Sequence, residues 1–183
     1  LIMCLSNREL PCLVASCVVR SSCAGAAHGA LYIVNFANES VDLKFTLDAK
    51  IHPHGRGNER GFRGISVDEE NECLYCSTNS DIIKFDKSFL ILNRFVNPYV
   101  NGTHEIFLFK KSLFIVSTRF DAIVRFDCRK NRFADAIQIK KLPNNILQAV
   151  AFDPEKKNPA IGKGSSLHLN SIYVNSTGIF FYG

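Results

Sequence analysis

Ile82-Ile83-Lys84-Phe85-Asp86 returns as Ile123-Val124-Arg125-Phe126-Asp127, 41 positions further along the chain. Upstream of it, Leu74-Tyr75-Cys76-Ser77-Thr78 returns as Phe114-Ile115-Val116-Ser117-Thr118 at an offset of 40. A repeated unit of roughly 40–50 residues, all strand and turn, has the period of a β-propeller blade. The expected fold is therefore all-β, a propeller whose blades each carry four antiparallel strands.

The chain has 183 residues, or about four and a half units of that period, whereas propellers close with four to eight whole blades. It opens at Leu1 and stops at Gly183, inside the strand-like Gly178-Ile179-Phe180-Phe181-Tyr182. The expectation is a single incomplete propeller domain over residues 1–183, about four to four-and-a-half blades of a six- or seven-bladed parent. A closed four-bladed ring is the alternative. The expected divisions are a partial first blade over 1–28, a blade with a loop over 29–61, and blades over 62–101 and 102–142. An irregular insertion over 143–167 and the start of a further blade over 168–183 follow.

Local patterning supports those divisions. Leu13 to Val19 reads as a strand, and Ala30–Asn35 with Val41–Phe45 reads as a hairpin across Ala37-Asn38-Glu39-Ser40. The clearest blade has strands at Phe62–Val67, Glu72–Thr78, Asp81–Phe85 and Phe89–Phe95. Its copy runs His104–Phe109, Ser112–Ser117, Ala122–Phe126 and Phe133–Ile139. Ala149–Phe152 reads as a short strand, and His168–Val174 with Ile179–Tyr182 resume the pattern. Residues 48–61, with Pro53 and glycines at 55, 57 and 61, form a loop.

Composition narrows the function classes. Apolar residues make up 46 % and charged residues 21 %, a globular balance with no stretch of membrane-spanning length. The net charge of +5 is scattered, and basic residues are not interleaved with base-stacking aromatics, so neither nucleic acid nor membrane is an expected partner. Arg8, Glu9 and Pro11 interrupt the apolar first 20 residues, and no charged segment precedes them, unlike a signal peptide. Cytoplasm is the favoured compartment. Cys73 and Cys76 stand three apart on one strand, so their thiols face opposite ways and suit a buried apolar role, not a metal knuckle.

The repeat also locates a candidate site. In a propeller, side chains at the start of each inner strand converge on the channel mouth. Anchored on Ile65, Ile106 and Ile172, the positions two residues earlier are Arg63, His104 and Asn170, and His168 shares their parity. Three different polar residues at equivalent places point to chemistry. His104 and His168 can ligate a divalent transition metal, zinc, iron or manganese. Arg63 and Asn170 can bind substrate, with Arg63 gripping an anionic group. Parity sends Glu105 into the blade, unless a bulge at the strand start turns it to the channel, where it becomes a candidate base.

Elsewhere, Asp86 and Asp127 suit turn capping, and Asp121 a solvated turn. His52 and His54 flank Pro53, with Glu59 nearby, in what reads as a surface loop.

Arg60-Gly61-Phe62-Arg63-Gly64-Ile65, Gly102-Thr103-His104-Glu105-Ile106, Ser117-Thr118-Arg119-Phe120-Asp121 and His168-Leu169-Asn170 together resemble a class of six-bladed propellers. The class is related to NHL-repeat and SMP-30/gluconolactonase-like proteins, and the resemblance covers roughly residues 29–183. It implies either a channel-mouth site for a small molecule or metal, including a metal-assisted hydrolase or lyase, or a protein-binding scaffold of the NHL type. The gluconolactonase group holds its cation with Glu, Asn and Asp side chains. Asn170 matches one such ligand, while His104 and His168 depart from that oxygen-rich set.

Overall fold

The computed structural model describes residues 12–20, 22–23, 25–48, 50–51 and 61–183. Among the described residues, fourteen strands fall into four antiparallel sheets, each a meander of sequence neighbours, and there is no α-helix. The first blade is β1 (Cys12–Val18), β2 (Gly29–Asn35) and β3 (Ser40–Leu47). The second is β4 (Ile65–Asp68), β5 (Cys73–Ser77), β6 (Asp81–Asp86) and β7 (Ile91–Val96). The third runs through β8 (Thr103–Phe109), β9 (Ser112–Ser117), β10 (Ala122–Asp127) and β11 (Arg132–Lys141) to β12 (Leu147–Phe152). A fourth sheet pairs β13 (Ser171–Asn175) with β14 (Gly178–Tyr182).

Two expected divisions change. β1 pairs with β2 along its whole length, so the boundary between residues 28 and 29 falls inside one blade. The segment 143–167, expected as an insertion, contributes β12 as a fifth strand along the β11 edge, with Ala136 opposite Phe152 and Lys141 opposite Leu147.

The sheets pack face to face in sequence order, as propeller blades do. In β5, Leu74 and Cys76 enter the core shared with the first blade, beside Val14, Leu31, Leu47 and Phe62. Cys73 and Tyr75 enter the core shared with the third, beside Ile106, Leu113 and Ile115. β9 repeats the division: Leu113 and Ile115 face backward, while Phe114 and Val116 face forward onto Leu169, Ile172 and Val174. The period of two explains why the central strands read as unbroken apolar runs: both faces are covered. It also separates the two thiols as expected, and burial pushes both up. Each such Leu, Ile or Phe side chain contributes about 1.5–3 kcal/mol by leaving water.

Turn chemistry is equally repetitive. Asp86 Oδ1 accepts from Ser88 N and Leu90 N at 2.8 and 2.9 Å, and Asp127 Oδ1 accepts from Arg129 N and Lys130 N at 2.9 and 3.1 Å. Asp121 is different and corrects the expectation of a solvated turn. It sits in the left-handed region (φ 46°) and is only 2 % exposed. Its Oδ2 accepts from Ser166 N at 2.6 Å and Leu167 N at 3.0 Å. A carboxylate saturated in this way staples the approach to the fourth sheet onto the third blade. Asp81, its equivalent, is buried beneath Arg94, whose guanidinium pairs with it and donates to Ile51 O. His52, His54 and Glu59 lie outside the described residues.

Blades also touch closely at Gly64, just before β4. A Cβ there would stand 2.6 Å from Ile106 N and 2.9 Å from Glu105 Cα. Gly64→Ala is expected to lower stability by about 1–3 kcal/mol, read as a drop in denaturant midpoint, whereas Gly162→Ala, where a Cβ meets nothing within 4 Å, should leave the midpoint in place. Asp121→Ala is expected to cost about 1.5–3 kcal/mol and to speed amide exchange at Ser166 and Leu167; unchanged exchange there would refute the staple.

Candidate functional site

The middle of β1, the start of β8 and the segments leading into β4 and β13 border one open cleft of about 480 Å³. Its polar lining comes from Ser16, Arg63, His104, Glu105 and Asn170. Four of the five side chains proposed from the sequence therefore stand around the same space, each delivered by a different turn of the repeat or by its neighbour. The fifth, His168, is not part of the lining. It precedes β13 in the left-handed region (φ 55°), where strand parity does not apply, and is exposed. Its ring centroid still lies 5.9 Å from that of His104, and its Nδ1 lies 3.2 Å from Ser165 Oγ.

A bulge explains how His104 and Glu105 reach the same cleft. Thr103 pairs with Ser117 and Ile106 with Ile115, so β8 spends three steps where β9 spends two. The extra residue breaks the alternation that would have sent Glu105 into the blade. Glu105 Oε2 then accepts the backbone N–H of Ile172 at 2.8 Å, which ties the third blade to the fourth. On the other side, Ser16 Oγ donates to Arg63 O at 2.9 Å, and Gly64 N donates to Ser77 Oγ at 2.9 Å.

Polar groups facing the cleft are sparsely satisfied by the protein. Among the described residues, no hydrogen bond forms to the side chains of His104 or Asn170, and Glu105 forms no ion pair and keeps Oε1 without a hydrogen bond. Burial and then the charge of Arg20 lower the pKa of Arg63, which remains a cation. Desolvation first, then Arg63 and His168, hold His104 below its ordinary 6.5, so its imidazole is neutral at pH 7.

The same observations bear on a metal. Among the described residues, no three His, Cys, Asp or Glu side chains gather into a group that could hold a metal ion. Zinc, iron or manganese would meet two imidazoles, a carboxylate already turned toward Ile172 N–H, and the nearby Arg63 cation.

β1 supplies Val14, Ala15 and Ser16 to the lining, a contribution sequence reasoning missed. β1 is visible as an apolar strand, yet no matching copy of the repeat fixes its register against Ile65, Ile106 and Ile172. Gly64, between Arg63 and Ile65, is the available signal, because a glycine at a strand start marks close backbone approach.

No protein-family model and no curated protein sequence matches the chain. Among solved structures it is similar to Sqt1 of Saccharomyces cerevisiae, with 11 % identity and a TM-score of 0.47 over 67 % of this chain and 35 % of that one. It is also similar to a luciferin-regenerating enzyme, with 11 % identity and a TM-score of 0.42 over 71 % of this chain and 49 % of that one. The chain thus spans about a third and about half the length of these two structures, and similarity at that level says nothing about activity.

In proton NMR, His104 is expected to titrate below 6.5, and Arg63→Gln is expected to move its midpoint upward. Because the folded value is depressed, the contribution of His104 to stability is intact above 6.5 and is lost as pH falls through 6.5 toward the folded value. A midpoint at or above 6.5 in the wild-type chain would contradict this account of the cleft.

Proposed function

We propose that the channel-mouth cleft binds a small polar molecule through an anionic group, with Arg63 as the principal anchor and His104 and Asn170 as hydrogen-bonding partners. The observation that carries this reading is the contrast between the cleft and the turns. Asp86, Asp121 and Asp127 are saturated by nearby amides, whereas the cleft gathers side chains from four blades, and among the described residues His104, Asn170 and Glu105 Oε1 form no hydrogen bond there. Convergent, unsatisfied polar groups in a concave site are what ligand recognition requires. A neutral His104 offers one donor and one acceptor, and Asn170 offers both. A guanidinium takes a carboxylate or phosphate in bidentate geometry.

The same reading keeps to the likeness of these segments to SMP-30/gluconolactonase-like propellers, and it sets the NHL-type interaction platform second. A catalytic extension gives Glu105 the role of general base, with Oε2 steadied by Ile172 N–H and Oε1 left to accept a proton. In this extension, hydrolase or lyase chemistry proceeds without a metal.

Titration with acetate and with inorganic phosphate, followed by calorimetry and by the His104 resonances, tests the proposal. Saturable binding is expected, weakened by about tenfold in Arg63→Lys and in His104→Ala. Absence of saturable binding by either anion would overturn it in favour of the scaffold role. Near-stoichiometric zinc in protein purified without chelator, lost from a His104→Ala/His168→Ala variant, would overturn it in favour of a metal site.

A further inference from the structure

A second open cleft, of about 490 Å³, lies where the end of β11 meets the segment 160–166, and it shares no lining residue with the first. Lys140, Lys141 and Lys163 line it together with one carboxylate, that of Asp121. The charges do not cancel, because Asp121 is already met by amides: its Oδ2 accepts from Ser166 N and Leu167 N, and its Oδ1 from Leu169 N at 3.4 Å. Among the described residues the side chains of Lys141 and Lys163 form no ion pair or hydrogen bond. Lys140 Nζ donates to Ala160 O at 3.2 Å, a neutral partner. Elsewhere the chain does pair such groups: Lys87 meets Glu72 and Lys156 meets Asp153, each at 3.0 Å.

The loop Gly162-Lys163-Gly164-Ser165-Ser166 is pinned at alternate residues. Gly162 O accepts from Gln138 Nε2 at 3.1 Å, Gly164 N donates to Arg119 O at 3.0 Å, and Ser166 N donates to Asp121 at 2.6 Å. The N–H groups in between, those of Lys163 and Ser165, form no hydrogen bond among the described residues. A Cβ at Gly162 or Gly164 would meet nothing within 4 Å, so a ligand can come close to the backbone there. Gln138 is 5 % exposed and lines the same cleft, and its Oε1 has no hydrogen bond among the described residues. Fixed N–H donors beside three ammonium groups match an anion with several oxygens and nearly two charges, as a phosphate monoester has. A carboxylate, with one charge and two oxygens, would leave donors idle. From the juxtaposition of Lys140, Lys141 and Lys163 with the Gly162–Ser166 loop we propose that this second cleft binds the phosphate group of a small phosphate ester, its oxygens held by the lysines and by the N–H groups of Lys163 and Ser165.

The test is a titration with glycerol phosphate, inorganic phosphate, acetate and glycerol at physiological ionic strength, which screens loose surface attraction. It is followed at the backbone amide resonances of Lys163 and Ser165. Both phosphates are expected to shift these resonances saturably and to bind at least about tenfold more tightly than acetate, with glycerol silent. In Lys141→Ala/Lys163→Ala, glycerol phosphate read at Ser165 should weaken by about tenfold or more. In Lys156→Ala, which removes a paired surface cation, it should change by less than about twofold. Thermal melting of each variant establishes that it is folded. Arg63→Lys is expected to leave the loop titration in place, which separates this site from the channel-mouth cleft. Loss of the loop shifts in Arg63→Lys would assign the phosphate to that cleft and overturn the second site. The proposal also fails if neither amide moves saturably, if acetate binds as well as phosphate, or if the double variant binds like the wild-type chain. Binding of inorganic phosphate without glycerol phosphate would make this a site for the free anion and overturn the ester.

Discussion

The close approach of one inner strand to the next is the constraint on which the rest of this structure depends. Where Gly64 meets Glu105 and Ile106, there is no room for even a methyl group. That contact fixes how far the second blade stands from the third, and with it the overlap of the apolar faces behind them. Tyr75 and Ile82 on one side, and Ile106, Leu113 and Ile115 on the other, are buried together because the strands in front of them touch. The same contact is what sets Arg63 beside Glu105, so packing and candidate chemistry share a single geometric origin.

Carboxylates hold three distinct posts in this fold, although the sequence presents them in similar surroundings. Asp86 and Asp127 close exposed turns with local amides. Asp121 is buried and accepts from Ser166 and Leu167, 45 and 46 residues further on. Glu105 bridges blades through Ile172 N–H, a partner 67 residues away, and keeps an oxygen in reserve at the cleft. What separates the three is the distance along the chain of the amides they receive. Burying a carboxylate is tolerable only where amides or a cation replace its water: Asp81 has the Arg94 guanidinium, and Asp121 has a set of backbone amides.

Much of the fold was legible because the repeat and the period of two describe local structure. Strand positions from Asp81 to Asp127 follow directly from the two copies, and Cys73 with Cys76 diverge as alternation demands. What escaped was whatever depends on a neighbour in space. The bulge that brings Glu105 to the cleft is a mismatch between β8 and β9, invisible to the parity of β8 alone. Phe62 to Gly64 and His168 to Asn170 were expected to be strand, and both precede the ladder. Crowding at Gly64 and the left-handed backbone of His168 account for that. Asp121 was misjudged for the same reason, since its partners lie in the next unit of the chain.

Every sheet is a meander of consecutive strands, so each blade's ladder closes short loops and can assemble from local sequence. The cleft belongs to no single blade. It comes into being only when the strands carrying Ser16, Arg63, Glu105 and Asn170 have docked side by side. Anything that binds there binds the docked arrangement and not the separated blades, so occupancy adds a free energy of RT ln(1 + [L]/Kd) to docking itself. The ligand would then act as a clasp on the assembly, and the concentration of a small metabolite would be written into the mechanical cohesion of the propeller.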